Sequence, residues 1–404
     1  MHMLTKSDNY EKERNEFCIN ALLWTLFIPL LNEFIVPATK YFIGESIGSK
    51  ISMFTYGAFF AYACYKAFRC GLLTNAKPYF AYCIILAFFA ISKMMHPDRD
   101  IYFTDTGMYL LKIFFLPISI FLVCSIRDWS DFERNASKFA KWACVISCLK
   151  LMIGGLETTN YMNFSYVFLP FVGFSIYSAV NKKGAIFEWV IVCIDIVIML
   201  IFGARTPVFF ASILILGLIL LNDSRSKKVI IILIFAVIAM TIYYNLDAII
   251  ELMGRSQVFE NSYFLENLQR GTLFKSDSRD QIYDVCRKYI STMGFEVNGL
   301  FFDRILLGGM NTPYPHNIVY EILLQFGWEL GTIILIVLGF FIIKTFLNVD
   351  RTSKKLFFVF FMTLMGRFWV SGSYVTEFRF YVFMCIVYAM SKTYSKRRKN
   401  NVKC

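Results

Sequence analysis

AIFEWVIVCIDIVIMLIFGARTPVFFASILILGLILL, residues 185 to 221, is apolar almost from end to end. An apolar helix needs ~20 residues to cross the hydrocarbon core of a bilayer. This run is too long for one crossing and suits two, provided something interrupts it. GARTP, 203–207, is the interruption, and Pro207 is suited to the first turn of a new helix. In lipid each backbone N–H and C=O must be satisfied within its own segment, so runs this long and unbroken are helices rather than barrel strands.

Working outward, similar runs recur along the whole chain. They give about twelve candidate spans: 17–36, 51–68, 79–95, 108–124, 139–155, 161–180, 185–202, 207–221, 229–244, 328–346, 356–370 and 376–390. Composition agrees. Of 404 residues 57% are hydrophobic and only 17% charged, with 44 Phe, far more apolar content than a soluble core of this length requires. The expected fold is an all-α polytopic membrane protein in three parts. Spans one to nine occupy 1–244, a long external loop with amphipathic helices occupies 245–315, and 316–404 holds the last three spans and a basic tail.

Lys and Arg set the orientation. YKAFR, RDWSDFERNASK, NKK, DSRSKK, KTFLNVDRTSKK and the tail SKRRKNNVK fall on the side that holds both termini. That side is therefore expected to be cytoplasmic, and the net charge of +12 reflects this bias, so no nucleic-acid partner is needed to explain it. The polar start of the chain does not read as a cleavable signal. Of eleven cysteines only Cys286 is expected outside, which gives no disulfide scaffold. No spacing suggests a metal, and no cofactor is expected.

The loop after Asn245 is longer than connections without a function usually are. Within it SDSRDQIYDVCRKYISTM, 276–293, places Ile282, Val285, Cys286, Tyr289, Ile290 and Met293 at helical spacing, a stripe for the membrane or the bundle. Ser278 and Gln281 have the spacing of a capping box, which puts Arg279 in the first turn. Arg279 is either a solvated surface arginine or part of an anion site with the free N–H groups at the helix start. Arg287 lies on the same helix, about 80° away, as a further anion-binding candidate. Arg205, in the GARTP turn, either snorkels to lipid headgroups or binds an anion. His316, in PYPHN, is one of three histidines and stands where the loop meets the next apolar run. It either touches lipid phosphates or acts as a base. His96, in MMHPDRD, is a rival on the same face without a pattern around it. Lys112, Lys150, Asp195 and Glu33 are costly in lipid and are expected to pair with each other inside the bundle, the sequence not saying which with which.

Three blocks then carry a resemblance. IFGARTPVFFASILILGLIL, SDSRDQIYDVCRKYISTMGFEVNG and PHNIVYEILLQFGWELG resemble, in order, three segments of the O-antigen polymerase and O-antigen ligase superfamily. In these an arginine opens an apolar helix, a second arginine opens an amphipathic helix ending in a glycine turn, and His-Asn starts a helix. The likeness covers roughly residues 200 to 345. It departs from the common pattern in having GAR rather than a serine before the arginine, and a single glycine, Gly299, in VNGL.

The resemblance implies metal-independent glycosyl transfer at the outer face of the cytoplasmic membrane. Arg205 and Arg279 would bind the pyrophosphate of an undecaprenyl-pyrophosphate-linked glycan, with Arg287 as a weaker ligand, and His316 would be the general base. The partners implied are this donor, a lipid-linked acceptor, and room for a chain-length regulator protein. Polymerisation of repeat units is favoured over ligation to lipid A core because the chain is Phe-rich and shows only the minimum of shared blocks. Transfer to protein is disfavoured by the short tail. A flippase would show internal repeats and paired broken helices, and neither is visible. Were His316 a phosphate ligand instead, the base would have to be Glu321 or an acidic loop residue such as Asp280.

Overall fold

A computed structural model describes residues 6–43, 45–152, 161–182, 186–202, 205–221, 277–310 and 314–401, and among these every regular element is a helix. The expected ninth span and the first half of the long loop, to residue 276, lie outside the described residues.

Helix α1 (Lys6–Phe42) packs against α2 (Glu45–Arg69), and further along against α7 (Phe132–Met152) and α8 (Tyr161–Asn181). α8 forms the middle of the bundle and also meets α9 (Ile186–Ile201) and α10 (Arg205–Leu220). The two helices α9 and α10 are the halves of the 185–221 run, and they separate at GARTP as its chemistry requires, with Pro207 in the first turn of α10. Because lipid tails are as apolar as leucine, packing rather than water exclusion holds such helices together. Here the packing is phenylalanine edge to face. Phe27 meets Phe139 and Phe171 at 5.3 and 5.6 Å, and Phe174 meets Phe132 and Phe360 at 5.4 and 5.9 Å.

Among the described residues five helical stretches are long and apolar enough to cross a membrane: Tyr10–Lys40, Ala76–Met95, Thr106–Ser125, Asn163–Asn181 and Ile318–Asn348. The second and last bury little of their surface within the protein, leaving Phe80, Ile84 and Phe88, and Ile333, Ile336 and Phe340, exposed along their lengths. Water would not tolerate apolar faces of this extent. This is the surface of a membrane protein.

Charges inside the bundle are paired, as expected, though not always with one another. Lys150 donates to the Glu33 carbonyl at 2.7 Å and lies 3.5 Å from its carboxylate, to which Asn163 also donates at 2.6 Å. Asp195 instead accepts from the Ser175 hydroxyl at 2.8 Å, and Lys112 donates to the Phe103 carbonyl at 3.0 Å.

Two spans are less regular than their sequences suggest. The 108–124 run is two α-helical pieces, Thr106–Leu110 and Leu116–Phe121, joined through a π-helical turn. The 356–370 run is α-helical only to Phe360, then widens into π geometry and tightens into a 3₁₀ turn, Gly366–Trp369. Such local rewinding is common at functional sites.

The described part of the long loop folds onto the bundle. Its helix is described over Asp277–Thr292, a range that includes Ser278. The apolar stripe behaves as the spacing predicts: Ile282 and Cys286 are buried against Leu307 and against Leu324 of the Ile318–Asn348 helix, with Val285, Tyr289 and Ile290 beside them. The loop then crosses that helix at a break. Gly327 has φ +79° and ψ 170°, and a Cβ there would collide with the Glu296 carbonyl oxygen, so only glycine fits. Beside the break Gly299 N–H donates to the Gln325 carbonyl at 2.8 Å, and Asn298 donates to the Leu324 carbonyl at 3.0 Å.

The turns sort to two ends. At one, Asn15 holds Arg127 and Asp128, Asn181 bridges Glu133 and Lys355, and Arg351 reaches the Leu221 carbonyl. At the other, Arg99 donates to the carbonyls of Asn298 and Leu300 at 2.7 and 2.9 Å, tying the MMHPDRD turn to the long loop.

Candidate functional site

The second end carries His316. Asn317 caps the following helix, its side-chain oxygen accepting from Val319 N–H at 2.9 Å while its amide reaches the Trp369 carbonyl at 3.4 Å. Capping fixes where the helix starts, and so where His316 stands. The histidine itself has φ +53°, a left-handed conformation that a non-glycine residue adopts at a cost of ~1–2 kcal/mol. Strain of this kind persists only where surrounding contacts hold it, and it gathers at functional positions.

Those contacts are aromatic and cationic. The His316 ring lies 4.2 Å from the Tyr314 ring, and the Arg304 guanidinium lies over the other partner, 4.3 Å from the Tyr314 centroid. Arg304 comes from the short helix Phe302–Leu306, which follows a left-handed Phe301. Arg367 comes from the 3₁₀ turn and stacks on Tyr166 of α8 at 4.7 Å. Arg279, on the helix Asp277–Thr292, bears electrostatically on both His316 and Tyr166. The charges of three arginines therefore bear on one imidazole. Burial, and then the charges of Arg279, Arg304 and Arg367, push the ring's pKa down from 6.5 to about 4. At neutral pH the ring is uncharged, and its Nδ1 is enclosed without a hydrogen-bond partner. Neighbouring Tyr314 is raised above its ordinary value, chiefly by burial.

A layer of acids lies behind the arginines. Asp303 is fully buried, accepts from the Gln325 amide at 2.8 Å, and has its other oxygen 3.6 Å from Arg304 Nε. Burial raises the Asp303 carboxyl. Gln325 accepts in turn from the Tyr374 hydroxyl at 2.6 Å. Glu321 accepts from the Ser373 hydroxyl and from Tyr374 N–H at 3.1 Å. Glu377 lies 3.0 Å from Arg367 and 2.8 Å from Arg379.

Of the residues picked from sequence, His316 and Arg279 are brought together. Arg205 starts α10, but its side chain lies outside the described residues. The next residue, Thr206, interacts with the hydroxyl of Tyr166, the ring on which Arg367 stacks, so the start of α10 adjoins the cluster. Arg287 is not drawn in. It is exposed and pairs with Asp284, one turn back on its own helix. His96 lies against Gly299, whose Cα leaves no room for a Cβ, and burial lowers its pKa. Of the alternative bases, Glu321 is 1% exposed and holds the 373–374 turn, whereas Asp280 faces solvent.

Sequence reading missed Arg304, Arg367, Glu377 and Arg379. Arg367 and Arg379 carried a usable signal, as arginines inside otherwise apolar runs. Among the described residues no three of His, Cys, Asp and Glu converge as a metal site would require. Comparison with protein-family models and with curated proteins returns no match.

Proposed function

We propose that the chain is a glycosyltransferase of the cytoplasmic membrane that polymerises oligosaccharide repeat units carried on a polyprenyl pyrophosphate. In this reading some twelve spans place both termini in the cytoplasm and His316 at the outer face. The observation that carries it is the convergence of Arg279, Arg304 and Arg367 on a neutral His316. The order of the three sequence blocks supports it as well.

The chemistry matches that arrangement. A hydroxyl oxygen of the acceptor glycan attacks the anomeric carbon of the donor. The new glycosidic C–O bond forms as the bond to pyrophosphate breaks, and the electron pair leaves with the phosphate oxygen. Guanidiniums stabilise the departing charge through paired N–H bonds, a geometry lysine cannot copy. The hydroxyl proton passes to His316, which must be neutral to accept it. Arg304 stacked on Tyr314 is held in place before substrate arrives, which is what electrostatic preorganisation requires.

The test is the glycan profile of cells in which the chain is replaced by His316→Ala. A polymerase leaves single repeat units on the lipid A core and no ladder. Long glycans stranded on the carrier lipid would identify a ligase, and an unchanged ladder would remove His316 from the reaction.

A further inference from the structure

Glu377 has two faces. One oxygen meets Arg367 of the site above, and the other meets Arg379 at 2.8 Å, where a cavity of about 460 Å³ opens. Its walls come from the Pro29–Pro37 part of α1, from Tyr56, from the 107–115 stretch, from the start of α8 and from Thr376–Arg379. The volume lies in the usual range for small-ligand sites, roughly 300–1,000 Å³.

Its lining mixes apolar side chains with a few polar ones, the charged groups being Glu33, Glu377 and Arg379. Glu33 is held by Asn163 and by Lys150, which stands behind it, and Glu377 is held by two arginines. Each carboxylate thus has its own cation and retains lone pairs for further hydrogen bonds. Asn32 lines the same cavity. It is 8% exposed and interacts with the Tyr56 hydroxyl, but neither its amide oxygen nor its nitrogen reaches hydrogen-bond geometry with a partner. A buried primary amide left unpaired costs ~1–3 kcal/mol and marks a place where a partner belongs. The Phe115 and Phe378 rings, stacked at 4.0 Å, supply an aromatic wall.

We propose that this cavity is the subsite for the acceptor glycan, with Asn32 and Glu33 bonding to hydroxyls of a sugar ring. The inference rests on the glycosyl-transfer reading and extends it. An anion would gain little here, because the wall carries two carboxylates, Glu33 and Glu377, beside one guanidinium, Arg379. An acyl chain would leave the Asn32 amide unsatisfied. A polyhydroxylated ring offers a donor and an acceptor at each hydroxyl, matching an amide and paired carboxylates that line one cavity. Through Glu377 the two subsites share a wall, which is where acceptor hydroxyl and donor carbon have to meet.

The probe is the repeat-unit oligosaccharide hydrolysed from its carrier and so lacking pyrophosphate. Its binding to the purified full-length protein in detergent is read by saturation-transfer NMR. The unaltered chain should bind it, and Asn32→Ala should weaken binding by ~10-fold, in line with the loss of a buried hydrogen-bond partner. The interaction of Asn32 with the Tyr56 hydroxyl falls short of hydrogen-bond geometry, so this substitution removes little from the fold. Asn32→Leu, which keeps the volume filled, should weaken binding as much. Arg279→Gln should leave it unchanged. Equal binding to the Asn32 variants, or no binding to the unaltered chain, overturns the proposal. Binding of the intact pyrophosphate-linked unit reports separately on the arginines: if Arg279→Gln does not reduce it, the donor reading falls and the acceptor cavity is judged on Asn32 alone.

Discussion

The two faces of Glu377 are built from the same residue types and suit different ligands. Toward His316, Arg279, Arg304 and Arg367 outnumber the carboxylates that face them, Asp303 and Glu377. Toward Asn32 the cavity wall presents two carboxylates, Glu33 and Glu377, beside one guanidinium, Arg379. The first surplus favours a doubly charged leaving group, and the second set favours an uncharged ring. What separates them is charge bookkeeping over a few residues, since both sites are enclosed and arginine-bearing.

The sharpest break in the comparison is His316→Ala. Losing a general base typically costs ~10²–10⁴-fold in rate, and the polymer ladder should all but vanish while the protein still inserts. His96→Ala is the control and should retain the ladder, because His96 packs on Gly299 rather than among the arginines.

Glu377→Gln attacks the shared wall. It leaves Arg367 and Arg379, both largely buried, without the carboxylate between them. Breaking a buried pair in this way costs up to ~3–5 kcal/mol, visible as a lower thermal midpoint in detergent. A midpoint within a degree of the unaltered protein would show that the wall carries no such charge balance.

Arg279→Lys keeps the charge and loses the planar fork. Hydrogen bonds to charged groups contribute ~1.5–3 kcal/mol, so donor affinity should fall ~10–100-fold in a binding assay with the lipid-linked unit. The smallest effect belongs to Arg287→Ala, an exposed partner of Asp284, which should change activity less than about twofold. A large loss there would move the anion site along the helix.

Much of this architecture can be read from the chain. The 185–221 run, its break at GARTP, the 282–290 stripe and the helix start at Asn317 all follow from local chemistry, and so does the nomination of Arg279 and His316. Arg304, Arg367 and Glu377 did not emerge because their meaning is tertiary. Arg367 counts for the site only where its span unwinds after Phe360, and π or 3₁₀ winding leaves no periodic trace in FMTLMGRFWV. The direction of the ring's shift is legible, since arginines beside an imidazole of ordinary pKa near 6.5 lower it, but burial and the arginines from distant segments that do so are tertiary. Arg279 alone was foreseen.

That lowered pKa carries a stability consequence with a definite sign. As pH falls below 6.5 the unfolded chain protonates this histidine while the folded protein resists down to about 4. The stabilisation from keeping the ring neutral is therefore complete above that window and is lost as pH falls through it.

The same titration tests the central claim most directly. With ¹³C-labelled histidine and His2→Gln and His96→Gln variants for assignment, NMR in detergent can follow the ring of His316 alone. The account predicts a midpoint near 4 that rises when inorganic pyrophosphate is added, because the anion offsets the arginine charges that hold the ring neutral. A midpoint near 6.5 that pyrophosphate does not move would mean that the arginines do not act on His316, and the site would have to be placed elsewhere.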